Sequence, residues 1–162
     1  MRILAFDPGF ERLGAAVVER VGGKECVVYS TCIRTPKDRP FPERLRLLGE
    51  RARGLMEEYA PDAIALEKVY VTKNQKTAMQ VAEVRGVLIY ESALRSFPLF
   101  EYTPLEVKVA VTGFGGSDKR QVGDMVARIL SLPPAKRLDD ELDAIAIGLT
   151  CIATYRRNIL AQ

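Results

Sequence analysis

Three short apolar runs parted by turn residues, then a proline-rich stretch, then alternation of strand-like and helix-like segments restrict this chain to very few architectures. The first runs cover residues 2–6, 14–18 and 26–33, separated by Pro8-Gly9 and Gly22-Gly23. Connections this short favour antiparallel pairing. Beyond Pro36, Pro40 and Pro42, the spacing of Leu45, Leu48, Ala52, Leu55, Met56 and Tyr59 predicts a helix over 43–59, ended by Pro61-Asp62. A strand at 63–66, a helix at 74–94, a strand at 99–102 and helices near 105–111, 118–130 and 139–156 follow, and such alternation implies parallel strands joined by crossover helices. The expectation is an α/β fold: a five-stranded mixed sheet, three antiparallel strands first and two added in parallel, with helices on both faces. A length of 162 residues, 48% hydrophobic and 28% charged, suits one globular domain over 1–162.

The segment 74–94 is apolar on more than one stripe, with Met79, Ala82, Val84, Val87, Leu88 and Tyr90 all within it. A helix apolar on several faces is buried on several faces. Either it is a central core helix, or a second copy of the chain covers its outer face.

Histidine is absent. That excludes Ser-His-Asp and Cys-His nucleophile arrangements, imidazole bases and His-bearing metal motifs. Cys26, Cys32 and Cys151 are odd in number, far from any CxxC spacing and set among apolar neighbours, which reads as small reduced core residues and a cytoplasmic setting. The first apolar run is stopped by Asp7, too early for a signal-peptide core, and no stretch has membrane-spanning length. A net charge of +3 is too small to diagnose a partner, so the placement of charge matters more than its sum.

Four carboxylates stand where acids are costly. Asp7 ends Ile3-Leu4-Ala5-Phe6, Glu67 ends Ala63-Ile64-Ala65-Leu66, and Asp143 leads into Ala144-Ile145-Ala146-Ile147 with Asp140 one turn before it. Buried acids must be paired, neutralised or metal-bound. Three have a bland alternative: Asp7 as a turn aspartate, Glu67 as an exposed strand end, and Asp140, or Asp139 in its place, as a helix cap. Asp143 is harder to dismiss, because it heads the nearly uncharged stretch from Ala144 to Thr154. If the first and fourth strands are neighbours, however, all four converge. Such a self-repelling cluster suits hard divalent cations, and paired Mg²⁺ ions about 4 Å apart are a recognised device for in-line attack on a phosphodiester.

Positive and aromatic residues flank these acids: Lys68, Tyr70, Lys73 and Lys76 after Glu67, Lys108 in the next helix, and Lys119-Arg120 after Gly113-Phe114-Gly115-Gly116. Lysines beside a metal site suit a polyanionic backbone, and Tyr70 is either a buried aromatic or a platform for an unpaired base. The glycine-rich segment lacks P-loop and GxGxxG spacing, which leaves it a connector before a helix capped by Ser117 or Asp118.

Taken in order, Asp7-Pro8-Gly9, Glu67-Lys68-Val69-Tyr70 with Lys73-Asn74, Ala82-Glu83-Val84-Arg85-Gly86-Val87, Phe100-Glu101-Tyr102, Glu106-Val107-Lys108 and Asp140-Glu141-Leu142-Asp143-Ala144-Ile145-Ala146-Ile147 closely resemble the RuvC Holliday-junction resolvases. The resemblance implies an RNase H-like fold, a homodimer, and Mg²⁺-dependent paired nicking of four-way junction DNA in recombination and repair. It also implies two metal ions per site, with Mn²⁺ able to substitute, and a RuvA-RuvB branch-migration complex as partner. It assigns Asp7, Glu67, Asp140 and Asp143 as metal ligands, Lys108 as a catalytic residue, and Tyr70, Lys73, Lys76, Lys108, Lys119 and Arg120 as DNA contacts. Three features depart from the family's habit: Tyr70 where Phe is usual, Glu141-Leu142 where small residues are common, and no histidine near the chain's end, where some relatives carry His at the place of Asp140 although aspartate is also a normal choice. Two other readings remain open, an RNase H-like nuclease acting on RNA or other branched DNA, and a junction-binding protein without catalysis.

Overall fold

The computed structural model describes residues 1–68, 75–132 and 138–159. Its elements are β1 (Arg2–Asp7), β2 (Arg12–Val21), β3 (Lys24–Arg34), α1 (Phe41–Tyr59), β4 (Ala63–Glu67), α2 (Gln75–Leu94), β5 (Leu99–Tyr102), α3 (Pro104–Thr112), α4 (Lys119–Ile129) and α5 (Asp139–Ile159). The five strands form one sheet in the order β3-β2-β1-β4-β5. β1 pairs antiparallel with β2, and β2 with β3, whereas β4 runs parallel to both β1 and β5. This is the mixed sheet the sequence predicts. Gly22 and Gly23, at φ 58° and 84°, make the two-residue turn between β2 and β3, where both positions need the left-handed region.

α1 begins two residues earlier than its apolar spacing indicates, because Pro42 lies inside its first turn. The first-turn N–H groups have no partner within the helix, so proline is tolerated there. α3 and α4 each open on a capping box, Thr103 with Glu106 and Asp118 with Gln121. Asp118 is therefore the cap, while Ser117 is buried and hydrogen-bonds Thr112.

Strand alternation divides the core in two. Leu4, Phe6, Leu13, Ala15, Val17, Ile64 and Leu66 pack under α1 and α2 through Leu48, Met56, Val84 and Leu88. Ile3, Ala5, Ala16, Val18, Ala63 and Ala65 face α3, α4 and α5 through Val107, Val126, Ala144, Ile145 and Ile147. Each large side chain so buried contributes about 1.5–3 kcal/mol. The alanines on the second face let α5 lie close to the sheet; a Cβ at Gly148 would come within 2.7 Å of Val18.

α2 buries Val84, Leu88 and Ser92 but leaves Met79, Tyr90 and Leu94 more than 60% exposed. In the single chain it is thus not enclosed as a central core helix would be. No helix among the described residues is long and apolar enough to cross a membrane.

Candidate active site

The same alternation that builds the core places the acids. Asp7 continues the series Ile3, Ala5 and Glu67 continues Ala63, Ala65, so both carboxylates emerge on the α5 face. Because β1 and β4 are parallel and pair Phe6 with Leu66, their last residues are neighbours at one edge of the sheet. α5 brings Asp140 and Asp143 over this edge, one turn apart on its first turns. Gly14, paired with Asp7, makes the approach possible: a Cβ there would sit 1.9 Å from the Asp140 carbonyl oxygen and 3.2 Å from the Asp7 Cβ.

Asp7, Glu67, Asp143, Lys108 and Lys119 line one cleft of about 210 Å³ with Pro104, Val107, Val122 and Ile147. Burial, reinforced by the charges of Glu67, Asp143 and Asp140, pushes the Asp7 carboxyl from its ordinary 3.8 up to about 7, with Lys119 opposing. Glu67 is raised by burial and by Asp143, again against Lys119. Asp143 is raised chiefly by burial, although its hydrogen bond and charge contact with Lys119 pull the other way. Burial disfavours the Lys119 cation, but the hydrogen bond and charge of Asp143, with Asp7 and Asp139, outweigh it and raise its pKa. Burial comes first in all three carboxylates, and the nearby Lys119 charge does not offset it.

Lys119 Nζ lies 2.6 Å from Asp143 Oδ2, and Arg12 Nε lies 3.2 Å from Asp140 Oδ2. With two acids held by cationic side chains, no three Cys, Asp or Glu groups among the described residues close into a ready coordination shell. The donor set itself fits a hard divalent cation, being all oxygen, partly buried and short of neutralising charge. Replacing the lysine contact by a cation is the change this electrostatics favours.

Lys108 lies where the sequence predicts, beside the acids, and Lys119 reaches the same cleft from the start of α4. Arg120 is exposed in that first turn and does not line the cleft. Tyr70, Lys73 and the side chain of Lys76 lie outside the described residues.

Sequence reasoning passed over the residues that hold α5 to the β2/β3 hairpin. Ser30 Oγ donates to Glu141 Oε1 at 2.5 Å, the Cys32 thiol lies 3.9 Å from Asp140 Oδ2, and Arg12 completes the anchorage. Glu141, a departure from the family's habit, thus has a structural partner. A glycine inside a strand, Gly14, was the available signal of close backbone approach; the arginine carried none.

A family model described as crossover junction endodeoxyribonuclease RuvC matches residues 3–151. Similar proteins include the RuvC of Thermosipho melanesiensis, 40% identical over 97% of this chain and 99% of its own. The RuvC of Leifsonia xyli subsp. xyli is 42% identical over 92% of this chain and 72% of its own. T. thermophilus RuvC, solved in complex with a Holliday junction substrate, superposes with a TM-score of 0.91 at 29% identity, covering 98% of this chain and 96% of that one. The yeast mitochondrial resolvase Ydc2 superposes with a TM-score of 0.67 at 15% identity, over 99% and 83% of the two chains, which shows a shared fold.

Proposed function

The chain belongs to the RuvC family of crossover junction endodeoxyribonucleases, and from that premise we propose that it resolves four-way DNA junctions by paired, metal-dependent nicks, as one RNase H-like domain over 1–162. The observation that carries the reading is the gathering of Asp7, Glu67 and Asp143 in one cleft with Lys108 and Lys119, and of Asp140 outside its lining yet near enough for its charge to act on Asp7. An acid cluster is of use to a polyanionic substrate only when cations bridge the two.

In this reading Asp7, Glu67, Asp140 and Asp143 hold Mg²⁺, two ions per site, with Mn²⁺ able to substitute. Such ions supply charge neutralisation at the phosphate and water activation at neutral pH. Asp7 sits between the acids of β4 and α5, so its charge bears on every ion bound. Lys119, released from Asp143 when the acids are neutralised, and Lys108 across the cleft are placed to meet phosphate oxygens. Apolar Val107, Val122 and Ile147 limit water around them. Hydrolysis of the P–O3′ bond leaves a 5′-phosphate and a 3′-hydroxyl, and Tyr70, Lys73, Lys76 and Arg120 serve as further DNA contacts.

A junction with two-fold symmetry calls for two sites related by the same symmetry. Met79, Ala82, Gly86 and Tyr90 fall on one exposed face of α2, and an apolar stripe of that kind supports a homodimer. Association with a RuvA-RuvB complex and a cytoplasmic setting belong to the same reading. Mapping on a junction with each strand labelled in turn tests it: two nicks at symmetry-related positions, sealed by DNA ligase, are expected. Unpaired nicks, or ends that ligase refuses, would remove the resolvase assignment.

A further inference from the structure

β2 and β3 are registered so that Arg12 stands directly opposite Arg34. Both are on the face that α5 covers, since Ser30 and Cys32, alternating with Arg34 along β3, meet Glu141 and Asp140. Like charges directly opposed across an antiparallel pair are destabilising. Folding accounts for Arg12, which anchors Asp140, but no ion pair among the described residues accounts for a second arginine opposite it. Arg12 is half exposed and, among the described residues, has one ion pair, from Nε to Asp140, leaving the N–H groups on its two Nη atoms. Arg34 is exposed and has no ion pair among the described residues. Both guanidinium groups act on one thiol: burial and the Asp140 charge raise the Cys32 pKa, while Arg34 and Arg12 pull it down.

The position of the pair gives it a use. Lys108 and Lys119 flank the acids on the side of α3 and α4, whereas Arg12 and Arg34 flank Asp140 at the far end of the sheet edge, on β2 and β3. The acids thus lie between two cationic arms. A strand whose scissile phosphate sits over the acids, with one flank against Lys108 and Lys119, would carry its other flank toward Asp140. We infer that Arg12 and Arg34 form a phosphodiester-binding subsite that takes a backbone phosphate of the DNA strand being cut, next to the scissile one; this rests on the nuclease reading. Guanidinium groups suit the task because paired N–H donors match two phosphate oxygens. The contact carries no base information and fixes the register of the strand across the acids.

The test is equilibrium binding of a labelled four-way junction and a linear duplex by the full chain, in EDTA so that no strand is cut, over a series of NaCl concentrations. Wild type is compared with Arg34→Gln, Arg34→Lys and Arg12→Gln. Loss of one phosphate contact lowers the slope of log affinity against log salt by about 0.9 per protomer, equivalent to about eightfold weaker binding at 0.1 M relative to 1 M salt. Arg34→Gln is expected to show that drop, and Arg34→Lys to keep the wild-type slope, since the counterion count is unchanged. Melting by circular dichroism reports folding, and should Arg34→Gln fail to fold, Arg12→Gln carries the same comparison. Curves for Arg34→Gln and Arg12→Gln that superimpose on wild type in affinity and slope overturn the subsite and leave the nuclease reading standing. A wild-type protein that does not prefer the junction to the duplex overturns both.

Discussion

Replacing Asp7 by asparagine should make the metal-free protein more stable as it makes it inactive. The folded-state pKa of Asp7, about 7, lies above the ordinary 3.8 because burial comes first and the charges of Glu67, Asp143 and Asp140 add to it. A carboxyl raised in this way binds its proton more tightly folded than unfolded, so stability falls as pH rises between the two values and stays low above the higher one. The shift, about 3 pH units at about 1.36 kcal/mol each, sets an upper bound of about 4 kcal/mol on the destabilisation at pH 8. Asparagine keeps the shape but must itself be hydrogen-bonded, which leaves a net gain of about 2 kcal/mol. For a chain of this size that raises Tm by about 4–8 °C. Thermal melts in EDTA from pH 4 to 8.5 should show the two proteins nearly alike at about pH 4 and separating up to about pH 7. Adding Mg²⁺ should then lift wild type more than the variant, because a cation bound to the folded state stabilises it by mass action. A difference in Tm that does not change with pH, or a variant less stable than wild type at pH 8, would refute the electrostatic argument.

Other residues give independent checks. Gly14→Ala places a Cβ 1.9 Å from the Asp140 carbonyl oxygen, so α5 must shift; about 1–3 kcal/mol of stability should go, with junction cleavage falling further than the stability loss explains, as urea melts and rate measurements together would show. Arg44, buried and bonded to Thr35 Oγ1 at 2.8 Å and to the Phe10 carbonyl at 3.1 Å, ties α1 to the start of β2. Arg44→Met should cost about 1–3 kcal/mol by urea denaturation, since Thr35 and the Phe10 carbonyl lose a charged donor. Tyr70→Ala should slow resolution more than it weakens junction binding, a base-stacking contact being worth about 1–3 kcal/mol; unchanged resolution rates would return Tyr70 to a packing role.

Much of this architecture could be read from local pattern. Apolar alternation located β1 and β4, and their parity carried Asp7 and Glu67 onto the α5 face, so the acids could be grouped once those two strands were taken as neighbours. What pattern could not supply was cross-element detail. Ser30 and Glu141 are 111 residues apart, and no spacing rule links them. Arg12 and Arg34 become a pair only through the β2/β3 register, which the bulge at Val17/Val18 resets. The apolar stripes of α2 allowed either a buried helix or a covered one, and only the packing of Val84 and Leu88 against α1 shows which face the single chain leaves open.

Incubation of a labelled synthetic four-way junction beside a linear duplex, with Mg²⁺ or EDTA, for wild type and Asp7→Asn, tests the central claim most directly. The account predicts nicks in the junction alone, only with metal, and none from a variant that still binds the junction. Cleavage by Asp7→Asn at the wild-type rate, or cleavage in EDTA, would contradict it.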